Sequence, residues 1–323
     1  MEKRKAYTQA GAGLAVVLLA LCDMLCGGAA LSPGEVISGL GQGSIYSDIV
    51  LGLRLPRMLT AMLAGAALSL SGAQMQAIFR NPLADPHIMG VSSGAGLGAA
   101  LCIIATHGSA APVVVSAFAG AIVSSLLILS ASSRLRSTYT LLVFGVMLGF
   151  IFSAVTSTLE YTANEESLKL FYSWAAGTFT GSGYTGVTIC AAALTIGFAL
   201  SMINAKGLDI ILFGDDYAAL SGASVRGIRT LCILGSSLMT AAVTAFCGPL
   251  GFVGIAAPHI FRAIAGTSVH RNVLPGSLLT GAALSLGADI ISQNLPVPLP
   301  AGPMLALLGI PVILFIMLGG RKA

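Results

Sequence analysis

The chain has 323 residues, of which 56% are hydrophobic and only 9% charged, with a net charge of +4. A soluble domain carries about 25% charged residues, so a water-exposed globular fold is excluded, and so modest a charge gives no nucleic-acid signal. Apolar runs near the ~20 residues needed to cross a bilayer recur along the whole length, which makes the class an all-α polytopic membrane protein.

The N-terminus sets Lys3, Arg4 and Lys5 before an apolar run and then GGAA, a pattern shared with signal peptides. Many more spans follow, so it reads as a retained first helix over Gln9–Ala30, a cleaved signal being the alternative. A second span is expected over Pro56–Phe79, a third over Ser92–Ala105, a fourth over Pro112–Ser130 and a fifth over Thr140–Leu159. A short amphipathic piece falls near Ser167–Gly177. The sixth span covers Val187–Ile203, the seventh Ile228–Phe246, the eighth Gly254–Ala265, the ninth Leu274–Ser292 and the tenth Ala301–Gly319.

Ten spans with a cytoplasmic N-terminus can be tested against the bias of Lys and Arg toward inner segments. The inner segments then hold Lys3, Arg4, Lys5, Arg80, Arg134, Arg136, Lys206, Arg226, Arg229, Arg262, Arg271, Arg321 and Lys322. The outer ones hold only Arg54, Arg57 and Lys169. A missed or extra helix would scramble this asymmetry, which also places the C-terminus inside.

The third and eighth spans are short, flanked by Gly and Pro, and begin near Pro86-His87-Ile88 and Pro258-His259-Ile260. Interrupted segments at matching places in two halves point to an inverted repeat. With ten full crossings the first tripeptide falls on the inner side and the second near the outer side. The stretch FRNPLADPHIMGVSSGAG (Phe79–Gly96) crowds polar and helix-breaking residues between two apolar runs. It is expected to turn the chain on the inner face and help close a pathway.

Bond chemistry has no foothold in the sequence. No GxxxxGK[ST] phosphate loop surrounds any of the five lysines, and no GxSxG elbow or HExxH spacing occurs. His87, His107, His259 and His270 are scattered, and Cys22, Cys26, Cys102, Cys190, Cys232 and Cys247 form no CxxC pair, so they read as buried thiols without a metal. No catalytic or metal-ligating residue is expected. Asp23, Glu160 and Asp289 are the candidate carboxylates for ion coupling, and a structural or interfacial role is favoured for each.

What remains is a conduit powered from elsewhere. The segment ILFGDDYAALSGASVRGIR (Ile211–Arg229) is too polar to cross and has helical spacing with a break at Gly222. Two short helices there would dock on a soluble partner. On the outside, Arg54 and Arg57 of LRLPR form an arginine pair that could anchor to headgroups or grip carboxylates.

The longest diagnostic stretches are RLPRMLTAMLAGAALSLSGAQMQAIFRNPLADPHIMGVSSGAG (Arg54–Gly96) and GPLGFVGIAAPHIFR (Gly248–Arg262). HRNVLPGSLLTGAALSLGADI (His270–Ile290) and the Trp174-Ala-Ala-Gly177 motif add to them. On these the chain resembles the FecCD-type permeases, the membrane subunits of ABC importers for iron–siderophores, haem and vitamin B12. The resemblance covers essentially residues 1–323 as one permease domain. It implies the type II importer fold: ten helices with inverted-repeat character, paired with a second permease subunit as a homodimer or close heterodimer. It further implies two cytoplasmic ATPase subunits, which would bind the ATP and Mg, an extracytoplasmic binding protein, and a bacterial inner-membrane location.

The same resemblance assigns roles. Phe144–Thr156 and Met304–Ile310 would line the pathway. Asn81 and Leu83 match one cytoplasmic gate element, and Thr138 and Tyr139 the other, where Tyr139 is bulkier than the small hydroxyl residue usual there. Gly214, Asp215, Asp216, Ala218, Leu220 and Gly222 match the ATPase-coupling segment, with Ser and Leu exchanged at its end. Arg54 and Arg57 match the outer arginines that meet the binding protein. Gln293 stands where some relatives carry a third arginine, and Asp289 fits the family pattern. A stand-alone ion-coupled secondary transporter is the alternative, and it leaves the Gly214–Gly222 match without a purpose.

Overall fold

The computed structural model describes residues 2–27, 31–41, 45–106, 110–135 and 137–319. His107, Arg136, Arg321 and Lys322 lie outside the described residues. The secondary structure among them is helical. In chain order, α1 is Glu2–Leu25, α2 Pro33–Gly39, α3 Ile45–Ile49, α4 Leu55–Phe79, α5 Val91–Thr106, α6 Ala110–Arg134, α7 Thr138–Thr162 and α8 Glu165–Ala175. Then come α9 Gly183–Ile203, α10 Ala205–Ile211, α11 Asp215–Leu220, α12 Val225–Cys247, α13 Val253–Ala265, α14 His270–Asn294 and α15 Ala301–Gly319. Seven helical segments in the described residues are long and apolar enough to cross a bilayer. Three shorter apolar helices, α5, α13 and α15, take the places of the third, eighth and tenth expected spans.

Local sequence explains the starts. Ser137 accepts from the Thr140 amide before α7, Asn164 from Ser167 before α8, and Ser224 from Gly227 before α12, each satisfying an orphan first-turn donor. α8 adds Glu165 and Glu166 in its first turn, where the helix dipole favours negative charge. The second span begins earlier than Pro56. α3 leads through a π turn, Val50–Arg54, into α4, so the apolar helix runs from Tyr46. Pro56 lacks an amide hydrogen and would break a regular ladder. The π register absorbs this by sending the Leu55 amide back five residues to the Val50 carbonyl.

α4 is the centre of the bundle, packed on α14, α12, α13 and α9. Close approach depends on glycine. A Cβ on Gly65 would collide with the Gly281 carbonyl of α14, and one on Gly72 with the Gly254 carbonyl of α13. Small residues are the normal means of bringing apolar helices together in lipid. The packing repeats across the two halves. α4 lies on α14 as α12 lies on α6, and α5 contacts α6 and α7 as α13 contacts α14 and α15.

The inverted repeat places the second tripeptide differently from the count of full crossings. Gly254, next to the start of α13, packs on Gly72, which is seven residues or roughly 10 Å from the Arg80 end of α4. α13 is therefore a half-length helix that starts inside the bundle, and His259 reaches Pro82 at the Arg80 end. The tripeptide sits toward the inner end as defined by the charge asymmetry, because α13 never extends to the opposite face.

Candidate functional site

The turn after α4 is built by its own side chains. Arg80 ends the helix in the left-handed region, with φ 48°. The Asn81 side chain accepts from the Leu83 amide at 3.0 Å, and the Ala84 amide bonds the Asn81 carbonyl at 3.0 Å. This closed turn exposes Leu83 and tucks Ala84 into the core. The chain then runs back into the bundle. Asp85 accepts from the His87 amide at 2.9 Å and starts a single 3-10 turn, Pro86–Met89, before α5. His87 Nε2 lies 2.7 Å from the Leu250 carbonyl. A carbonyl only accepts, so Nε2 carries the proton, and Nδ1 faces the Ser92 hydroxyl. His259 Nε2 donates likewise to the Pro82 carbonyl at 2.8 Å.

The second expected gate element meets the coupling segment directly. Thr138, buried at the start of α7, donates to Asp215 Oδ2 at 3.1 Å. Arg229 in the second turn of α12 is 4% exposed; its Nη2 donates to the same Asp215 oxygen at 2.5 Å and to the Thr138 hydroxyl. Arg80 Nη2 stands 3.9 Å from Asp215. Neither Arg229 nor Arg80 was marked as a site residue by the sequence. The one signal was an arginine at the very start of the expected seventh span, where it reads as an ordinary flanking charge.

The expected break at Gly222 is present, φ 80°, between α11 and α12, and a second break at Gly214, φ 112°, separates α10 from α11, so only α11 is a short helix lying wholly within the segment. Both positions need a backbone that side chains rarely adopt. α11 buries Ala218 and turns Asp215 inward, while Asp216 and Tyr217 point away from the bundle. Leu220 is 89% exposed, and the rings of exposed Phe213 and Tyr217 lie 5.4 Å apart. Tyr139 stands exposed beside Thr138.

Along α7, Gly145 and Gly149 pack against Met89 and Gly90, and Leu148 and Thr156 are buried. Phe144, Met147, Phe150, Ile151 and Val155 form an exposed apolar face on the same helix. On α15, Met304 and Leu305 are buried, whereas Leu307 and Ile310 are exposed. Only part of each expected lining segment therefore faces away from its own subunit.

At the opposite end, the Arg57 guanidinium grips Asp289 with Nε 3.1 and 3.0 Å from its two oxygens and Nη2 2.7 Å from one. Gln293 bridges Asp289, at 2.9 Å, and Asp23, at 3.1 Å. Arg54 is 7% exposed and donates to the Met24 and Leu25 carbonyls at 2.8 and 3.3 Å, closing the end of α1. The arginine pair is thus engaged within the subunit, with Arg57 the more exposed member. Cys22 is exposed rather than buried, and all six cysteines are free thiols.

Comparison with known proteins follows this geometry. The model of the FecCD transport family matches residues 14–319. The vitamin B12 import system permease BtuC of Citrobacter koseri is 34% identical over 312 residues, 95% of this chain and 93% of the relative. The uncharacterised ABC transporter permease YvrB of Bacillus subtilis is 35% identical over 291 residues, 86% and 82% of the two chains. The solved inward-facing structure of a transporter assigned to the metal-chelate ABC type superposes with a TM-score of 0.84 at 28% identity, covering 98% of this chain and 99% of its own. With a family model matching residues 14–319 and near whole-length matches to permeases, the chain belongs to the FecCD transport family and is an ABC importer permease.

Proposed function

We propose that the chain carries a bulky metal chelate, cobalamin or haem inward as one half of a permease dimer. Two cytoplasmic ATPase subunits would drive it and an extracytoplasmic binding protein would deliver the cargo. The relatives that import vitamin B12 and the metal-chelate type structure support this cargo class.

The single observation that carries the mechanism is the sharing of Asp215 between α11, Thr138 and Arg229. α11 and the link before it offer an exposed aromatic and aliphatic surface of Phe213, Tyr217 and Leu220 at the polar end of the bundle. Large apolar side chains exposed beside polar ones mark protein–protein contact sites. Once an ATPase subunit seats there, displacement of α11 is felt at the first turn of α7 through one carboxylate. Asn81 and Leu83 on one side and Thr138 and Tyr139 on the other then act as the inner gate. This chain contributes packing and gating, biased by its partners, and no bond chemistry. The exposed face of α7, with Leu307 and Ile310 of α15, would be shared between the two halves as the pathway. At the outer end Arg57, held by Asp289, would present its exposed edge to acidic side chains of the binding protein, with Arg54 behind it.

The test is reconstitution of the permease with its ATPase subunits in liposomes, offered a panel of loaded binding proteins. ATP-dependent uptake of cobalamin or a metal chelate is expected, with ATPase activity raised by the loaded binding protein. Accumulation of solute by the purified chain alone under an ion gradient would overturn it in favour of a secondary transporter.

A further inference from the structure

Between the end of α4, the Asn81–Pro82 turn, α13 and the start of α14 lies a cavity of about 270 Å³. Pockets for drug-sized ligands run from roughly 300 to 1,000 Å³, so this one suits a small group. Its wall is basic: Arg80, Arg262 and His270 line it together with Gln76 and Asn81. Arg262 Nη1 donates at 2.5 Å to Gln76 Oε1, a neutral acceptor, and takes part in none of the ion pairs among the described residues. Arg80 comes no nearer than 3.9 Å to Asp215, whose oxygen is already held by Arg229. His270 is 1% exposed; its Nδ1 donates to Asp209 Oδ1 at 2.7 Å, and its Nε2 is buried with no partner among the described residues.

Cationic groups gathered in a recess with too little counter-charge are costly unless an anion completes them. Guanidinium forks match the oxygens of phosphate, and the cytoplasmic leaflet supplies anionic headgroups to basic pockets between helices. We propose that this cavity binds a phosphate-class oxyanion, held by Arg80, Arg262 and His270 against the Asn81–Pro82 turn. Such a ligand would stiffen the turn that Pro82 shares with His259, and so bias the gate from a site beside the ATPase-coupling helix, whose Asp215 lies 3.9 Å from Arg80. Asp209 and Asp215 are the acidic groups facing these side chains: Asp209 is bonded to His270, and Asp215 to Arg229 with Arg80 at 3.9 Å.

The experiment uses the full-length chain, purified and stripped of lipid, with binding read by native mass spectrometry and by thermal midpoint. The probes are inorganic phosphate, phosphatidylglycerol and phosphatidylcholine. Saturable binding of phosphate, of phosphatidylglycerol, or of both is expected, without binding of phosphatidylcholine. Phosphate alone identifies a free anion, and phosphatidylglycerol alone a lipid headgroup. Affinity should fall about tenfold or more in Arg262→Gln and be partly kept in Arg262→Lys, which preserves the charge should the first variant fold poorly. Arg271→Gln, exposed and outside the cavity, should bind as the parent does. Equal loss in Arg271→Gln, no binding of either anion, or expulsion of the anion once the ATPase subunits assemble would each overturn the proposal.

Discussion

His259 and Pro82 are joined by a hydrogen bond of 2.8 Å from Nε2 to the carbonyl oxygen, and His87 reciprocates with a 2.7 Å bond to Leu250. Each histidine belongs to a Pro-His-Ile tripeptide, and each reaches a carbonyl in the Pro-Leu turn of the other half, Pro82-Leu83 or Pro249-Leu250. The pseudo-symmetry of the two halves is thus written into a pair of crossed bonds. One of them holds the Asn81–Leu83 turn, the proposed gate.

Replacing His259 with Ala frees the Pro82 carbonyl, at a net cost of about 1 kcal/mol. The dimer should still assemble, while the Asn81–Leu83 turn loosens and ATP hydrolysis proceeds with less uptake per turnover. Hydrolysis and uptake measured together in proteoliposomes check this. An unaltered ratio would show that the bond does not restrain the gate.

Arg229→Met removes the common partner of Asp215 and Thr138. Asp215 is 27% exposed and keeps its bond from Thr138, so the lost charge-assisted bond costs about 1 kcal/mol. Basal ATPase activity should persist while stimulation by the loaded binding protein is lost. Asp215→Asn, which still accepts from Thr138, should be milder. If Arg229→Met causes the same further loss in a chain already carrying Asp215→Asn, the arginine works through something other than this carboxylate.

At the end of the bundle opposite Arg80, Asp289 is 2% exposed and depends on Arg57. Arg57→Ala should destabilise the chain by about 3–5 kcal/mol, as when one partner of a buried pair is removed. Adding Asp289→Asn should recover much of that loss. Thermal midpoints of the two single variants and the double variant give the coupling. Recovery of stability without recovery of binding-protein affinity would separate a docking role for Arg57 from its structural one.

Gly72→Ala tests the meeting of α4 with α13. The new Cβ has no space against the Gly254 carbonyl, so either helix must shift. Overpacking of this kind costs typically 1–3 kcal/mol, occasionally more. Reduced yield of folded dimer is expected, and Gly287→Ala, where a Cβ meets open space, is the control.

Asp209 offers a pH test outside the spans. Burial alone would push its carboxyl up, but the side-chain and backbone bonds from His270, and its charge, outweigh this and hold it below the ordinary carboxylate range. A group lowered on folding contributes stability that is present above its unfolded value, about 3.9, and is lost as pH falls through the folded one. Asp209→Asn should therefore lower stability near neutrality and flatten the loss of stability below about pH 4, followed by thermal unfolding across pH 3–7.

The apolar runs were enough to read the helical class and the order of segments, because length and hydropathy are properties of contiguous residues. The shortness of α5 and α13 was equally visible, but not their depth: a helix of 13 residues can begin at either face or between them, and only Gly72 against Gly254 decides. The start of the second span was hidden by Pro56, which usually marks a first turn, whereas here a π register carries the helix past it. Asp215 looked like a surface contact for the ATPase, since nothing local shows that Thr138 and Arg229, 77 and 14 residues away, close around it. Arg54 and Arg57 likewise read as free outer charges until α1 and α14 were placed beside them.

The exposed trio of Phe213, Tyr217 and Leu220 has a cost for a subunit made in excess. An orphan copy would carry a sticky, water-facing knob that the described residues leave uncovered. On the docking role proposed for α11, cells that synthesise this permease without matching amounts of its motor would accumulate material prone to clumping and to clearance by quality-control proteases.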